Sequence, residues 1–94
     1  MLFVNGVVIS ELIWVLRSVY KAEVKVVGDA VRSVVLADGI NVEDEEIVLE
    51  AVRSMEDANV DYPDAFVAAC ARARSEAVAT FDADFKRLGV ELIG

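Results

Sequence analysis

The sequence predicts one small α/β domain, residues 1–94, in three layers: a short parallel sheet flanked by about four helices. Three observations lead there. Short apolar, β-branched runs alternate with longer stretches of helical period. The segments between strand candidates are long enough to return the chain for parallel pairing. Several acids fall where a strand ends or a helix begins, the edge at which open parallel sheets take their ligands.

Taken in order, Leu2 to Ile9 is apolar and β-branched around Asn5-Gly6, so part of it reads as a strand. Ser10 reads as the cap of a first helix, ELIWVLRSVYK, with Leu12, Val15, Leu16 and Val19 as its apolar stripe. A second helix runs from about Ala22 to Ala37. Val24, Val27, Val31, Val34 and Val35 share one face, and Gly39 ends it. Gly39 to Val42 is a connector or short strand. Asp44 then caps a third helix, with Glu45 and Glu46 at its positive dipole end. Val48, Ala51, Val52 and Met55 form its buried stripe.

Asn59-Val60-Asp61 breaks that helix, and Pro63 suits the first turn of a fourth, where no N–H is needed. Tyr62, Phe66, Ala69, Cys70 and Ala73 lie on one side of it. Ala77 to Phe81 reads as a short buried strand, and Val90 to Ile93 as a final one. No repeat, linker or low-complexity tract interrupts the pattern.

Composition excludes several classes. The net charge of −8 sets the chain apart from proteins that grip nucleic acid through a broad basic surface. Contact with phosphate would need a local basic patch, a metal ion or a basic partner. With no His and one Cys, a Cys/His zinc site is excluded, and the lone Cys70 fits a reducing, cytoplasmic setting. No apolar run reaches the roughly 20 residues of a membrane span. The start MLFVNGVVIS lacks the basic region and cleavage site of a signal peptide. Mean hydropathy is +0.48, high for a small free monomer, which points to a partner or a second copy. The absence of Gln, with three Asn, hints at a thermophilic source.

The chemistry lies in the acids. Glu11 follows a strand-like segment, Asp61 and Asp64 flank the start of the fourth helix, and Asp82 follows the Ala77–Phe81 run. Such hard oxygen donors, without His or Cys, suit Mg²⁺ or Mn²⁺, which in pairs or singly assist phosphodiester cleavage. Each acid also has a plain structural reading: Glu11 and Asp64 favour helix dipoles, Asp61 is a cap, and Asp84 closes a turn.

The run DYPDAFVAACARARSEAVATFDADFKRL resembles the C-terminal half of PIN-domain proteins, particularly VapC-type toxins. The shared features are Asp61-Tyr62-Pro63-Asp64-Ala65 at a helix start and Thr80-Phe81-Asp82-Ala83-Asp84-Phe85 after an apolar run. ISELIWVLRSVYK is similar to the family's helix bearing a further acid, here Glu11. The resemblance covers nearly the whole chain. It implies a Mg²⁺- or Mn²⁺-dependent endoribonuclease, the toxin of a type II toxin–antitoxin pair. Glu11, Asp64 and Asp82 would hold the metal, Thr80 would orient them, and Asp61 would be an accessory acid or cap. RNA would be the substrate and an antitoxin protein the partner.

The family pattern opens with a central strand carrying D-T-N and a first acid. No such segment precedes Met1, so the expected fold is N-terminally truncated. Reading FVNGVVIS as a degenerate form of that strand is the alternative, but the first alignment puts Glu11 and ELIWVLR in place. Without the first acid, a second expectation stands beside the ribonuclease: a catalytically impaired PIN-like remnant acting as a homodimer or antitoxin-binding module. A missing central strand would leave a sheet edge for dimerisation or a partner to cover.

Overall fold

The computed structural model describes residues 2–87, excepting the side chains of 84–87. Its order is β1 (Leu2–Val4), α1 (Gly6–Ser18), α2 (Val24–Val35), β2 (Ile40–Val42), α3 (Glu45–Ala58) and α4 (Tyr62–Arg87). This is a small α/β fold. β1 and β2 pair in parallel, with Leu2 opposite Ile40, Phe3 opposite Asn41 and Val4 opposite Val42. The chain between them, α1 and α2, supplies the crossover that parallel pairing demands.

The first helix begins earlier than its sequence suggests. Asn5, with an extended backbone, caps it, and its side-chain oxygen accepts the Val8 N–H at 3.0 Å. Ser10 is therefore an interior residue of α1. Starting at Gly6 also rotates the buried stripe. Ile9 and Ile13 are the buried positions, Leu12, Val15 and Leu16 are half-buried, and Val19 is 60% exposed. Part of the Leu2–Ile9 run is strand, as β1, and the rest is helix, because the Asn5 cap and a 3.6-residue spacing of Ile9, Ile13 and Leu16 both favour it.

α2 and α3 follow their predicted stripes. Val27, Val31 and Val35 are buried on α2, and Val48, Ala51, Val52 and Met55 on α3. The cap of α3 differs. Asp44 has φ 53° and ψ 43° and makes no side-chain capping bond. A cap side chain reaches back from an extended backbone, which the left-handed conformation at Asp44 does not provide. Asn59, also left-handed at φ 54°, ends α3, and its N–H bonds the Met55 carbonyl. One core joins these elements: Val4, Val42 and the buried residues of all four helices. Val27, Val31, Val48 and Ala51 are fully buried.

The largest departure is α4. The Ala77–Phe81 run is not a strand; it continues a helix of 26 residues. Tyr62, Ala65 and Ala69 are buried, but every residue from Arg74 to Ala83 is exposed. A strand requires a neighbour to complete its ladder, and every residue of this segment is exposed. Ala71, Ala73, Glu76, Ala77 and Ala79 are good helix formers, so local propensity decides. Its exposed second half extends away from the core, and the structure measures 56 Å along its longest axis. The Val90–Ile93 strand expectation lies outside the described residues. No helix among those described is long and apolar enough to cross a membrane.

Candidate functional site

A cleft of about 870 Å³ opens between α1 and the α3–α4 connection. Gly6 lies just past the end of β1, and Glu43 and Asp44 just past the end of β2; all three line it. The cleft therefore sits at the carboxyl edge of the parallel sheet, where such folds place ligands. Glu43 fixes this corner: its Oε1 accepts the Gly6 N–H at 3.0 Å, tying the connection after β2 to the first turn of α1.

Two predicted acids share the cleft. Glu11 projects from α1, and Asp61 stands immediately before α4. Asp64, in the first turn of α4, is exposed beside this region but is not part of the cleft wall. Asp82 is elsewhere. It stands 18 positions further along the same helix, roughly 27 Å at about 1.5 Å per residue. Eighteen residues make five turns, so Asp64 and Asp82 lie on one side of α4 but at opposite ends. Thr80 is exposed on the far half of α4, and Asp84 belongs to the same helix. The structure thus brings Glu11 and Asp61 together and leaves Asp82 and Thr80 apart from them.

Among the wall residues that sequence reasoning missed are Trp14, Glu43 and Asp44. Trp14 was legible in part, since Val7, Glu11 and Trp14 recur at helical spacing on one face. Glu43 and Asp44 depend on a pairing of β1 with β2 that only the fold makes.

Tyr62 is 5% exposed, and its hydroxyl is buried without a hydrogen-bond partner among the described residues. Burial, with a smaller contribution from Cys70, pushes its pKa up to about 12. Arg72 on α4 pairs with Glu50 of α3, and Arg74 is exposed.

The sequence matches the PIN domain family over residues 1–91. The chain belongs to the PIN domain family. No curated protein and no solved structure matches it. PIN membership suggests nuclease activity, and PIN domains generally use divalent metal ions. The residues as placed do not fit such an ion. Among the described residues, no group of three or more His, Cys, Asp or Glu side chains is gathered to hold one. Glu11, Asp64 and Asp82 offer the right donor chemistry for a PIN site, but α4 separates the third from the first two.

Proposed function

We propose that this chain is a PIN-type endoribonuclease, the toxin of a toxin–antitoxin pair acting in the cytoplasm, with Mg²⁺ or Mn²⁺ as its cofactor. The supporting observation is the shared cleft of Glu11 and Asp61 at the carboxyl edge of the sheet, one turn from Asp64. The reaction class is hydrolysis of an RNA phosphodiester. This reading requires Asp82 to come within reach of Asp64, so the outer half of α4 must leave its straight course. The test is incubation of the purified chain with single-stranded RNA and Mn²⁺ or Mg²⁺. Cleavage abolished by Asp64→Asn and by Asp82→Asn supports it, and cleavage indifferent to both removes this set of residues from the mechanism.

The position of Asp82 favours a second reading, a PIN-like module that acts by association with an antitoxin protein or as a homodimer. The exposed apolar side chains of Val7, Trp14, Val67 and Val78 agree with that role. Calorimetric titration with Mn²⁺ separates the two: tight binding lost on Asp64→Asn belongs to the enzyme, and no binding belongs to the module.

A further inference from the structure

Among the described residues, β1 has a ladder partner on one side only, β2. The Leu2 N–H donates to the Gly39 carbonyl at 2.7 Å, and the Val4 carbonyl accepts the Glu43 N–H at 2.8 Å. Peptide groups alternate along a strand. Those of Leu2 and Val4 face β2, so both the N–H and the C=O of Phe3 face the open edge. Side chains alternate between the two faces as well. Leu2 shares a face with Val4, which is 8% exposed, yet Leu2 is 62% exposed; Phe3, on the other face, is 59% exposed. A core-facing leucine left open and an outward donor–acceptor pair thus meet on one short edge. Natural edges are commonly blunted by a charge or a proline, and β1 reads LFV, with neither. The outer edge of β2 is less open. Its Ile40 N–H donates to the Ala37 carbonyl at 3.4 Å, and Ile40 and Val42 are half-buried and buried.

Self-complementarity, charge and area select the occupant. Two copies of β1 laid antiparallel about a two-fold axis at Phe3 set the two Phe3 residues opposite each other. In such a pair the opposing residues exchange both N–H···O bonds, with Cα atoms about 5.5 Å apart. The outward donor and acceptor of each copy are then both used. The same register sets Leu2 against Val4 of the second copy at about 4.5 Å between Cα atoms, and so covers the open leucine. Placing β1 on the β2 of another copy would leave an edge free at each end, whereas the two-fold arrangement closes. β1 brings no charge to the contact, so the net charge of −8 on each copy opposes it only at a distance, where salt screens it. The Phe3 and Leu2 side chains of both copies remove on the order of 500 Å² from water. That is below the roughly 1,200 Å² of a stable interface, so the dimer is weak, with a Kd on the order of 100 µM.

We infer that two copies of this chain join edge to edge through β1, with an antiparallel junction at Phe3. The inference rests on the homodimer form of the association reading and names its surface. It involves none of the acids assigned to the nuclease reading, so the outcome of a cleavage or metal-titration assay does not bear on it.

The test is sedimentation equilibrium of the full chain from about 10 µM to about 1 mM, at low salt and at about 0.5 M NaCl. Amide hydrogen exchange is read at both ends of the concentration range. The expected result is a monomer–dimer equilibrium that tightens with salt. Exchange of the Phe3 N–H slows about two-fold or more in the concentrated sample. Phe3→Pro removes the outward donor without removing a bond of the β1–β2 ladder, and Leu2→Lys places a charge on the edge. Each weakens dimerisation about ten-fold or more. Val78→Lys, on the exposed part of α4, leaves it unchanged. Far-UV circular dichroism confirms that each variant folds. A chain still monomeric at the highest concentration overturns the inference, as does unchanged dimerisation in folded Leu2→Lys. A dimer in which the Phe3 amide exchanges as fast as in the monomer also overturns it, while leaving the homodimer reading in place with its contact elsewhere.

Discussion

The guanidinium of Arg32 on α2 and the carboxylate of Glu56 on α3 meet as a two-pronged pair, Nη1 to Oε1 and Nη2 to Oε2, each at 2.7 Å. The Glu56 side chain is 15% exposed and that of Arg32 31%. Asp29 and Lys25 extend the pair into a small network on the α2 surface. It is a short, two-pronged polar link between α2 and α3, and Lys25 Nζ adds a longer one to Glu56 at 3.7 Å.

Loss of this pair is expected to destabilise the domain by about 1–2 kcal/mol, discounted for the partial exposure of Arg32. Arg32→Ala leaves the less exposed carboxylate without its main partner, so it costs more than Glu56→Gln, which keeps the shape and removes the charge. Urea unfolding at neutral pH measures both. The Arg32 guanidinium holds the Glu56 carboxyl below its ordinary pKa. A depressed acid stabilises above its unfolded pKa, about 4.3, and that stability is lost as pH falls through the lower folded value. The variants should therefore show a shallower loss of stability below about pH 4.5 than the parent.

Gly28 makes room for the pair. A Cβ there would lie 2.7 Å from Oε2 of Glu56 and 3.0 Å from Nη2 of Arg32. In the parent, Gly28→Ala should push Glu56 aside and give back little of the roughly 1 kcal/mol that Ala gains over Gly in a helix. In a Glu56→Ala background the nearest obstruction is gone and the Arg32 head, released from its partner, can swing clear, so the same change should stabilise by about 0.5–1 kcal/mol. A double-mutant cycle in urea shows this as a non-additive term. Additive effects would mean that Gly28 does not shape the pair.

Asn5 and Ser10 offer a direct contrast. Asn5→Ala removes the bond to the Val8 N–H and should cost about 1 kcal/mol. Ser10 is exposed inside α1 and makes no described hydrogen bond, so Ser10→Ala should change stability by less than about 0.5 kcal/mol. Thermal melts of the two variants rank them. The opposite order would restore Ser10 as the cap.

Tyr62 carries a buried hydroxyl with no partner among the described residues, and its ionisation is pushed up to about 12. Raising an acid's folded pKa makes the folded state hold its proton when the unfolded chain has released it. Stability then falls as pH rises from about 10 to about 12, on the order of 2 kcal/mol for this group. Tyr62→Phe should remove that part of the alkaline loss. At neutral pH it should be neutral or mildly stabilising, because a buried hydroxyl without a partner carries an uncompensated desolvation cost of about 1–3 kcal/mol. Urea midpoints at pH 7 and pH 11 test both parts.

Patterns of period 3.6 and short-range turn chemistry were legible in the sequence itself. The valine stripe of α2, the Val48–Met55 stripe of α3, the break at Asn59 and Pro63 in the first turn of α4 are all local, and all are present. The family was legible from Asp61–Ala65 and Thr80–Phe85, because those spacings survive whatever the chain does between them. Tertiary structure alone decided the rest. Glu11 and Asp61 lie 50 positions apart, yet they share a cleft because α1 and the start of α4 pack side by side. Glu43 joins that cleft only through the pairing of β1 with β2.

The Ala77–Phe81 segment shows the boundary most clearly. Its five residues suit a buried strand and an alanine-rich helix equally, since so short an apolar run has no period of its own. A strand needs a ladder from a neighbour, and a helix makes its hydrogen bonds within itself. Exposed along its length, the segment is helix. That outcome carries Asp82 away from Asp64. The sequence by itself determined which acids this protein possesses; tertiary packing decided which of them meet.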